Sequence, residues 1–448
     1  MQWLSKVMLR LLTGNILDRR NFVKTLKLRE ISELKTGPFG TQFSAKEYVS
    51  EGIPVINVKN IGYGKIISEG LDYVGNSTLE RLAEHKLKTG DIVFGRKGSV
   101  DRHCLITKEQ DGWMQGSDCI RVRLKDASVY SNFISYYLLT DAVKTKINNS
   151  AVGSTMASLN TDILGDIEIN LPSYDEQYKI ASVLSTIDQK IEKNNKINDY
   201  LEAMAKTIYD YWFVQFDFPN ENGKPYESSG GKMVNSNGHI IPEGWTFCKI
   251  QDIISNICTG LNPRDNFKLG TGDIKYITVK NLTPNGTLDF TGCDTIDESA
   301  RTIVHNRSDI QIGDILFASI APLGRCYLIQ SEPTDWDINE SVFSIRANTD
   351  IITPAFLYLY FMSDAFIKHA TSSSTGSIFK GIRINTLLET ELCVPPLSVI
   401  LKFEERLASI FPLKSKNYEE IQRLSNLRDW LLPMLMNGQA TIEDCCDK

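Results

Sequence analysis

A cationic loop in the first half of this 448-residue chain combines residue types that bind phosphate groups and base edges. It follows a predicted strand, spans residues 96–102 and contains Arg96, Lys97, Ser99 and Arg102. Lysine and arginine pair with phosphates, small residues let backbone amides approach an anion, and arginine can donate to bases in a major groove. The matching loop in the second half, residues 319–325, begins with Ser319 and keeps one cation, Arg325.

Further polar and cationic residues could make the same contacts. A Lys-Asn pair stands at a predicted strand end in each half, and a Gly-Ser pair opens a small polar loop in each half. With the cations near them, these candidates are Lys59, Asn60, Lys280, Asn281, Arg264, Ser154, Thr155, Ser377, Lys380 and Arg383. Ordinary solvated turns use the same residue types, and asparagine is a frequent turn former. Each candidate therefore also has a plain structural interpretation.

Catalytic motifs are absent from the sequence. It contains no Asn/Asp-Pro-Pro-aromatic motif, no Gly-x-x-x-x-Gly-Lys-Ser/Thr loop, no Gly-x-Ser-x-Gly elbow and no His-Glu-x-x-His pair. Nine cysteines without a Cys-x-x-Cys pair and five dispersed histidines argue against a structural zinc site and for a reducing cytoplasm. We therefore expect a binding protein rather than an enzyme, without a catalytic, cofactor-binding or metal-binding residue of its own.

The composition is that of an ordinary globular chain with an acidic surplus. Hydrophobic residues make up 42% of the chain, and no apolar run approaches the roughly 18 residues that a membrane span requires. The net charge of −6 argues against a protein that binds nucleic acid over its whole surface, while it permits local basic clefts. The length suffices for two domains with cores of their own.

The elements that must position the candidate residues occur twice. Gly-Asp-Ile-Val-Phe at 90–94 returns as Gly-Asp-Ile-Leu-Phe at 313–317, and 313 − 90 = 223. The same offset relates Phe133, Tyr137 and Asp141 to Phe356, Tyr360 and Asp364. Short β-branched runs predict strands in both copies, and residues 133–146 and 356–369 predict helices. A repeat of this length predicts a duplicated α+β domain, whose two copies we expect to be related by a pseudo-twofold axis.

A long helix follows each copy. Four apolar residues and one asparagine occupy positions 180, 187, 194, 201 and 208, and the same pattern recurs at 403, 410, 417, 424 and 431. Sustained heptads predict two helices packed along a seam, here antiparallel. Asn194 and Asn417, each third of five, are predicted to meet and fix the register, although two solvent-facing asparagines would give the same pattern. Pro412 lacks a backbone donor and should kink the second helix.

The order of parts resembles the specificity subunit of type I restriction–modification systems. Leu-Pro at 171–172 and Glu-Gln at 176–177 open the first long helix in the manner of that family. The two Gly-Asp-Ile-[Val/Leu]-Phe strands, the aromatic stretch at 211–219 and Ile-Pro-Glu-Gly-Trp at 241–245 complete the pattern. The resemblance covers residues 22–436. It implies two tandem target-recognition domains joined by two long antiparallel coiled-coil helices.

We accordingly predict seven segments. They are an amphipathic N-terminal segment (1–21), the first target-recognition domain (22–174), the first long helix (175–214), a linker (215–243), the second target-recognition domain (244–397), the second long helix (398–436) and a polar tail (437–448).

The resemblance also implies a function. Each target-recognition domain would read one half of a bipartite site in double-stranded DNA, and the helices would set the spacer and dock two methyltransferase subunits. Two restriction–translocation subunits would complete a cytoplasmic phage-defence complex, in which S-adenosylmethionine, ATP and Mg²⁺ would be bound by the partner subunits. Two alternatives are a specificity subunit of a methyltransferase-only system and a pseudo-symmetric scaffold that binds protein without reading DNA.

Overall fold

The computed structural model describes residues 24–151, 157–236, 238–290, 292–372 and 381–442. The predicted amphipathic segment 1–21 and residues 443–448 of the predicted polar tail lie outside these ranges. The chain divides into two units. The first unit runs to Ile191 and resumes at Arg423, while the second unit is the continuous stretch Glu192–Gln422. Each unit combines sheets with helices, as the α+β prediction requires.

The first unit is built on two larger sheets and a two-stranded ladder. The strands are β1 Lys24–Lys27, β2 Ser32–Thr36, β3 Tyr48–Val49, β4 Ile53–Ile56, β5 Tyr63–Gly64, β6 Asp72–Val74, β7 Ile92–Gly95, β8 His103–Leu105, β9 Met114–Gln115, β10 Cys119–Leu124 and β11 Glu168–Leu171. The sheets have strand orders β2-β10-β7-β8-β5 and β3-β6-β4-β9, and the ladder pairs β1 with β11. The shorter helices are Leu28–Ile31, Asn76–Arg81, Ser131–Leu138, Asp141–Ser150 and Thr161–Gly165.

The second unit repeats this arrangement with one additional hairpin. The strands are β12 Met233–Ser236, β13 His239–Pro242, β14 Thr246–Lys249, β15 Ile254–Thr259, β16 Ile274–Ile277, β17 Asp294–Ile296, β18 Ile315–Ala318, β19 Cys326–Leu328, β20 Trp336–Ile338, β21 Val342–Ala347 and β22 Glu391–Val394. Its larger sheets have strand orders β15-β21-β18-β19 and β17-β16-β20, and β14 pairs with β22 and β12 with β13. The shorter helices are Ile250–Ile253, Glu298–Ser308, Pro354–Phe361, Asp364–Ser372 and Ile384–Leu388.

The repeated Gly-Asp motif has a structural role in both units. Asp91 and Asp314 are each 1% exposed. Each accepts two hydrogen bonds from an arginine on the neighbouring strand, Arg123 at 2.7 and 2.6 Å and Arg346 at 2.7 and 2.9 Å. The two strands that begin after the aspartates start at residues 92 and 315, and 315 − 92 = 223. The duplication predicted from the sequence is therefore confirmed at the level of strands and of buried ion pairs.

The segments predicted to be helical at 133–146 and 356–369 are helical, but each is divided into two helices. The breaks fall at Leu139–Thr140 and at Met362–Ser363. Thr140 Oγ1 donates to the carbonyl of Tyr137 at 2.8 Å, and Ser363 Oγ donates to the carbonyl of Tyr360 at 2.7 Å. These hydroxyls satisfy carbonyls that have no partner at the end of a helix, so they stabilise a stop before the next helix begins.

The first long helix, Tyr174–Tyr209, follows the predicted heptads only to its middle and ends in one turn of π-helix, Asp210–Val214. The heptad residues Ile180, Ile187 and Asn194 and the interleaved Leu184 are buried up to that point, together with Gln177, Ala181 and Val183. Beyond it, Asn198, Glu202, Ala205 and Tyr209 are buried, whereas the predicted Leu201 and Ile208 are half-buried. The buried residues Asn194, Asn198 and Glu202 follow one another at four-residue spacing, so the buried face of the helix shifts away from the predicted seven-residue repeat. Such a spacing compensates the drift of a 3.6-residue helix against a 3.5-residue repeat.

The second long helix keeps its predicted heptads but is interrupted. Phe403, Ile410, Asn417, Leu424 and Leu431 are all buried. The helix consists of Leu397–Leu407 and Ile410–Met436, with a break at 408–409. Pro412 cannot donate to the carbonyl four residues earlier, at position 408, and its ring crowds that carbonyl. The helix is therefore interrupted four residues before Pro412, the residue that we expected to kink it.

The two asparagines of the seam form hydrogen bonds with other residues rather than with each other. Asn194 Nδ2 donates to Glu420 Oε2 at 2.9 Å, and Asn417 Nδ2 donates to Asn198 Oδ1 at 3.1 Å. Residue numbers therefore rise along one helix as they fall along the other, which establishes an antiparallel pair within the second unit. We predicted that Asn194 would lie opposite Asn417. Each asparagine instead pairs with a residue three or four positions from the predicted one, about one helical turn away, because of the additional four-residue spacing near Asn198.

The stretch 215–243, predicted as a linker, is an ordered part of the second unit. It contains the β12–β13 hairpin and buries Phe218, whose ring lies 5.2 Å from that of Trp245. Trp212 and Phe213 at the end of the first long helix are also buried. None of the helices in the described ranges combines the length and the apolar character needed to span a membrane.

Candidate nucleic-acid interface

The predicted cationic loop of the first unit, residues 96–102, leads from β7 to β8 and meets three other segments. The guanidinium carbon of Arg96 lies 5.9 Å from the ring centroid of Phe39, in the loop after β2. The guanidinium carbon of Arg102 lies 5.4 Å from the ring centroid of Tyr63 in β5. Lys97 forms a β-bridge with Ser158, which follows the small polar loop. The fold thus brings the predicted cationic loop next to Ser158, which follows the predicted polar loop, and next to two aromatic residues from other segments.

Ion pairs divide the cations of this region into two kinds. Lys59 Nζ lies 2.8 Å from Asp72 Oδ2, and Lys97 Nζ lies 3.1 Å from Asp118 Oδ1. The hydrogen bond from Lys59 holds the pKa of the Asp72 carboxyl below its ordinary value. Arg96 and Arg102 form no ion pair with any described residue. The charges of the two arginines are therefore available to a ligand. The two lysines must first break their ion pairs with aspartates, which costs little free energy on an exposed surface.

Asn60 and Asn281 do not reach a ligand, which corrects the prediction that they contact DNA. Asn60 is fully buried, and its amide nitrogen donates to the carbonyls of Ile67 and Glu69 at 3.1 and 3.2 Å. Asn281 is 5% exposed and donates to the carbonyl of Asp289 at 2.8 Å. Both side chains hold the following loop closed, since a buried amide needs partners for its polar atoms. The structural interpretation as turn formers holds for this pair.

The matching loop of the second unit is held more tightly. Ser319 is 6% exposed, and its hydroxyl donates to the carbonyl of Ser341 at 2.7 Å, so its predicted contact with DNA is also corrected to a structural role. Arg325 Nη1 donates to the carbonyl of Leu282 at 3.1 Å. Ile320 forms a β-bridge with Gly381, next to the second polar loop. Two of the three contacts of the first unit therefore recur in the second unit, with fewer cations.

Three cations of the second unit remain exposed. Arg264 follows β15, Lys280 precedes the loop that Asn281 holds, and Arg383 stands at the start of the helix Ile384–Leu388. None of them forms an ion pair within the described ranges. In the first unit, Ser99 is exposed at the tip of its loop. The remaining candidates, Ser154, Thr155, Ser377 and Lys380, lie outside the described residues.

Two exposed aromatic residues of the first unit were missed by the sequence analysis. Phe39 and Tyr63 are 58% and 48% exposed, and each lies within cation–π range of an arginine. Each lies between two residues that favour turns, Phe39 between Pro38 and Gly40 and Tyr63 between Gly62 and Gly64. An aromatic residue between turn formers cannot join a regular core face, and this pattern is the signal that could have identified them.

A family comparison matches the chain twice. The model of the type I restriction modification DNA specificity domain matches residues 22–203 and 242–423, which together make up more than half of the chain. The two matches fall on the two copies of the repeat.

Curated relatives match over nearly the whole length. The type I restriction enzyme MjaIX specificity subunit of Methanocaldococcus jannaschii is 23% identical over 93% of this chain and 93% of its own. The type I restriction enzyme HindI specificity subunit of Haemophilus influenzae is 22% identical over 86% of this chain and 94% of its own. Among solved structures, the S subunit of a type I restriction-modification system from M. genitalium aligns with a TM-score of 0.54 at 16% identity. That alignment covers 94% of this chain and 97% of the other, and it supports the fold.

Proposed function

The chain belongs to the type I restriction modification DNA specificity family, and from this premise we propose that it is the DNA sequence-specificity subunit of a type I restriction–modification complex. Each unit reads one half of a bipartite site in double-stranded DNA. The subunit itself carries no active site, and adenine methylation and DNA cleavage belong to the methyltransferase and restriction subunits that assemble with it. Those partners bind S-adenosylmethionine, ATP and Mg²⁺.

The observation that carries this proposal is the convergence of loops in each unit. In the first unit, residues 96–102 lie against Phe39, Tyr63 and Ser158. In the second unit, Arg325 contacts Leu282, in the loop that corresponds to that of Tyr63, and Ile320 pairs with Gly381, which corresponds to Ser158. Exposed cations next to these loops supply the charge that binds phosphates. The two loop sets differ in their side chains, as two domains that read different sequences require.

Deletion of the gene tests the function directly. In the source organism, strand-resolved sequencing of methylated adenine should show one motif, made of two short half-sites with a fixed gap, that disappears with the gene. Alanine at Arg96 together with Arg325 should abolish methylation of the same motif. Lys108→Ala, an exposed cation beyond the other end of β8, should leave it unchanged. An unchanged methylome after deletion would contradict the proposal and favour a scaffold that does not read DNA.

Exposed apolar side chains on the long helices support the docking of two methyltransferase subunits. Tyr178 and Leu401, near the starts of the two helices, are 52% and 48% exposed, and 401 − 178 = 223. Tyr200 and Met204 expose further apolar surface on the first helix. Large side chains that expose apolar surface at equivalent positions are typical of interaction sites, and two equivalent sites suit two copies of one partner.

Negative charges at positions 178 and 401 should weaken the assembly of this chain with methyltransferase subunits. We expect Tyr178→Glu combined with Leu401→Glu to weaken the binding of methyltransferase subunits by roughly tenfold or more, because a buried carboxylate without a partner is costly. Each single variant should retain one subunit. The stoichiometry of the purified complexes, measured by native mass spectrometry, checks this result. Val49→Glu, an equally exposed apolar position on β3, is the matched control. Full assembly by the double variant would exclude these positions from the interface.

A further inference from the structure

Both arginines of the loop at 96–102 lie on exposed aromatic rings. The guanidinium carbons of Arg96 and Arg102 are 5.9 and 5.4 Å from the ring centroids of Phe39 and Tyr63. A guanidinium that lies on a ring is held by the ring's face, and the contact does not consume its N–H donors. An arginine held by a carboxylate uses those donors instead. This loop therefore presents two oriented arginines whose terminal N–H donors are available.

The hydrogen bonds of the two arginines also indicate that they can donate to a ligand. The Nε atoms of Arg96 and Arg102 are buried and have no hydrogen-bond partner among the described residues. Because a buried Nε cannot reach a base, the terminal nitrogens, which form no hydrogen bond among the described residues, are the donors left for a ligand. The acceptors that suit a planar guanidinium are paired oxygen or nitrogen atoms, and guanine O6 and N7 in the major groove form such a pair.

Tyr63 is itself fixed in place. Its hydroxyl donates to Asp101 Oδ2 at 3.3 Å, and Lys144 Nζ lies 5.4 Å from its ring centroid. Lys144 also pairs with Asp141 at 3.1 Å, so the ring is surrounded by side chains that already have polar partners. Because the ring is fixed, it already restricts the rotamers of Arg102 before DNA binds. Arg102 therefore loses less conformational entropy on binding, and this entropy loss is one of the main costs of an arginine contact.

The second unit lacks this arrangement. At the offset of 223, Asn262 stands where the first unit has Phe39, and Ser319 stands where it has Arg96. In the loop that follows the repeated Lys-Asn pair, whose offset is 221, Pro284 replaces Tyr63. Arg325, the remaining arginine, donates to the backbone carbonyl of Leu282. The two units thus offer different chemistry to DNA, and the aromatic supports belong to the first.

On the basis of the proposed function, we propose that Phe39 and Tyr63 are positioning residues that present Arg96 and Arg102 to guanine in the half-site read by the first unit. The rings themselves touch the arginines, and the arginines donate to the O6 and N7 atoms of the base. The inference therefore assigns a G·C pair to that half-site and assigns its recognition to four residues of one loop cluster.

The experiment compares base preferences of the full chain assembled with its methyltransferase subunits. A plasmid library carries the methylated motif with every position of both half-sites varied, and strand-resolved methylation gives the preference at each position. Phe39→Leu and Tyr63→Leu should lower discrimination at a G·C pair of one half-site by roughly tenfold, the scale of one bidentate arginine contact. The other half-site should keep its preferences. Tyr63→Phe keeps the ring under Arg102 and removes only the hydrogen bond to Asp101, so it should retain most of the discrimination.

Controls separate this inference from a general loss of structure and from the proposed function. Both rings are exposed, so the leucine variants should unfold at the wild-type temperature, and Lys108→Ala should keep wild-type preferences. If both leucine variants keep every preference, or lose one only at an A·T pair, the inference is overturned while the proposed function stands. If the wild-type complex methylates no bipartite motif, the proposed function itself has failed.

Discussion

Replacing Lys414 with methionine should lower the free energy of unfolding of the second unit by about 3–5 kcal/mol. The side chains of Lys414 and Glu202, on the two long helices, form an ion pair and are only 6% and 5% exposed. Lys414 Nζ also donates to the carbonyls of Asn285 and Gly286, at 2.9 and 3.3 Å. Its loss leaves the Glu202 carboxylate buried without its counter-charge and leaves two carbonyls without a donor. Urea unfolding of the full chain, followed by tryptophan fluorescence, measures the loss.

A second substitution distinguishes a buried charge from a general packing defect. Glu202→Leu combined with Lys414→Met removes both charges, and it should recover a large part of the lost stability, because an apolar pair of similar volume replaces a buried ion pair at little cost. Lys402→Met, at an exposed lysine of the same helix, should change the stability by no more than about 0.5 kcal/mol. Equal midpoints for Lys414→Met and wild type would show that the pair is not buried in solution.

Phe213→Ala should destabilise the second unit by about 3–5 kcal/mol, as expected when a buried aromatic side chain is removed. Phe213 is 7% exposed at the end of the first long helix. Its ring centroid lies 4.7 Å from that of Phe403 and 4.9 Å from that of Phe356. The contacts join the two long helices to the recognition domain, so the resulting cavity should weaken all three. The neighbouring Val214 is 54% exposed.

Val214→Ala is the matched control for this prediction, since it truncates an exposed residue one position away. We expect it to leave the unfolding midpoint within about 0.5 kcal/mol of wild type. If Val214→Ala and Phe213→Ala behaved alike, the aromatic cluster would not form part of the core. The binding of a methyltransferase subunit offers a second readout, because Val214, unlike Phe213, is accessible to a partner.

The repeat made the architecture predictable, whereas the details of the helix seam were not. Hydrophobic spacing reports which residues share a helix face, and it identified the second long helix from Phe403 to Leu431. Hydrophobic spacing cannot show that the buried face of a helix shifts by an additional four residues when the apolar residues themselves keep a regular seven-residue spacing. Leu201 and Ile208 match the heptad in sequence, yet Glu202 and Tyr209 occupy the buried positions. The choice depends on the partner helix, where Lys414 pairs with Glu202.

The candidate interface was predictable by region but not by residue. Sequence spacing located the loop at 96–102, because a strand, small residues and cations stand together there. The carboxylate partners of Lys59 and Lys97 are Asp72 and Asp118, which are 13 and 21 residues away (72 − 59 and 118 − 97) and come close only through the sheet. Local sequence cannot show which cation is already neutralised. For the same reason, the burial of Asn60 and Asn281 could not be distinguished from exposure.

The order of the two units along the chain has a consequence for biosynthesis. The second unit, Glu192–Gln422, is one uninterrupted stretch, while the core of the first unit includes Leu424, Leu431 and Leu435. Domains usually fold on the ribosome in the order of their synthesis. Here the N-terminal unit stays incomplete until the last helix has been made, and the unit synthesised later can close before it. A chain cut short after position 422 would therefore lose the part of the core that belongs to the unit at its beginning.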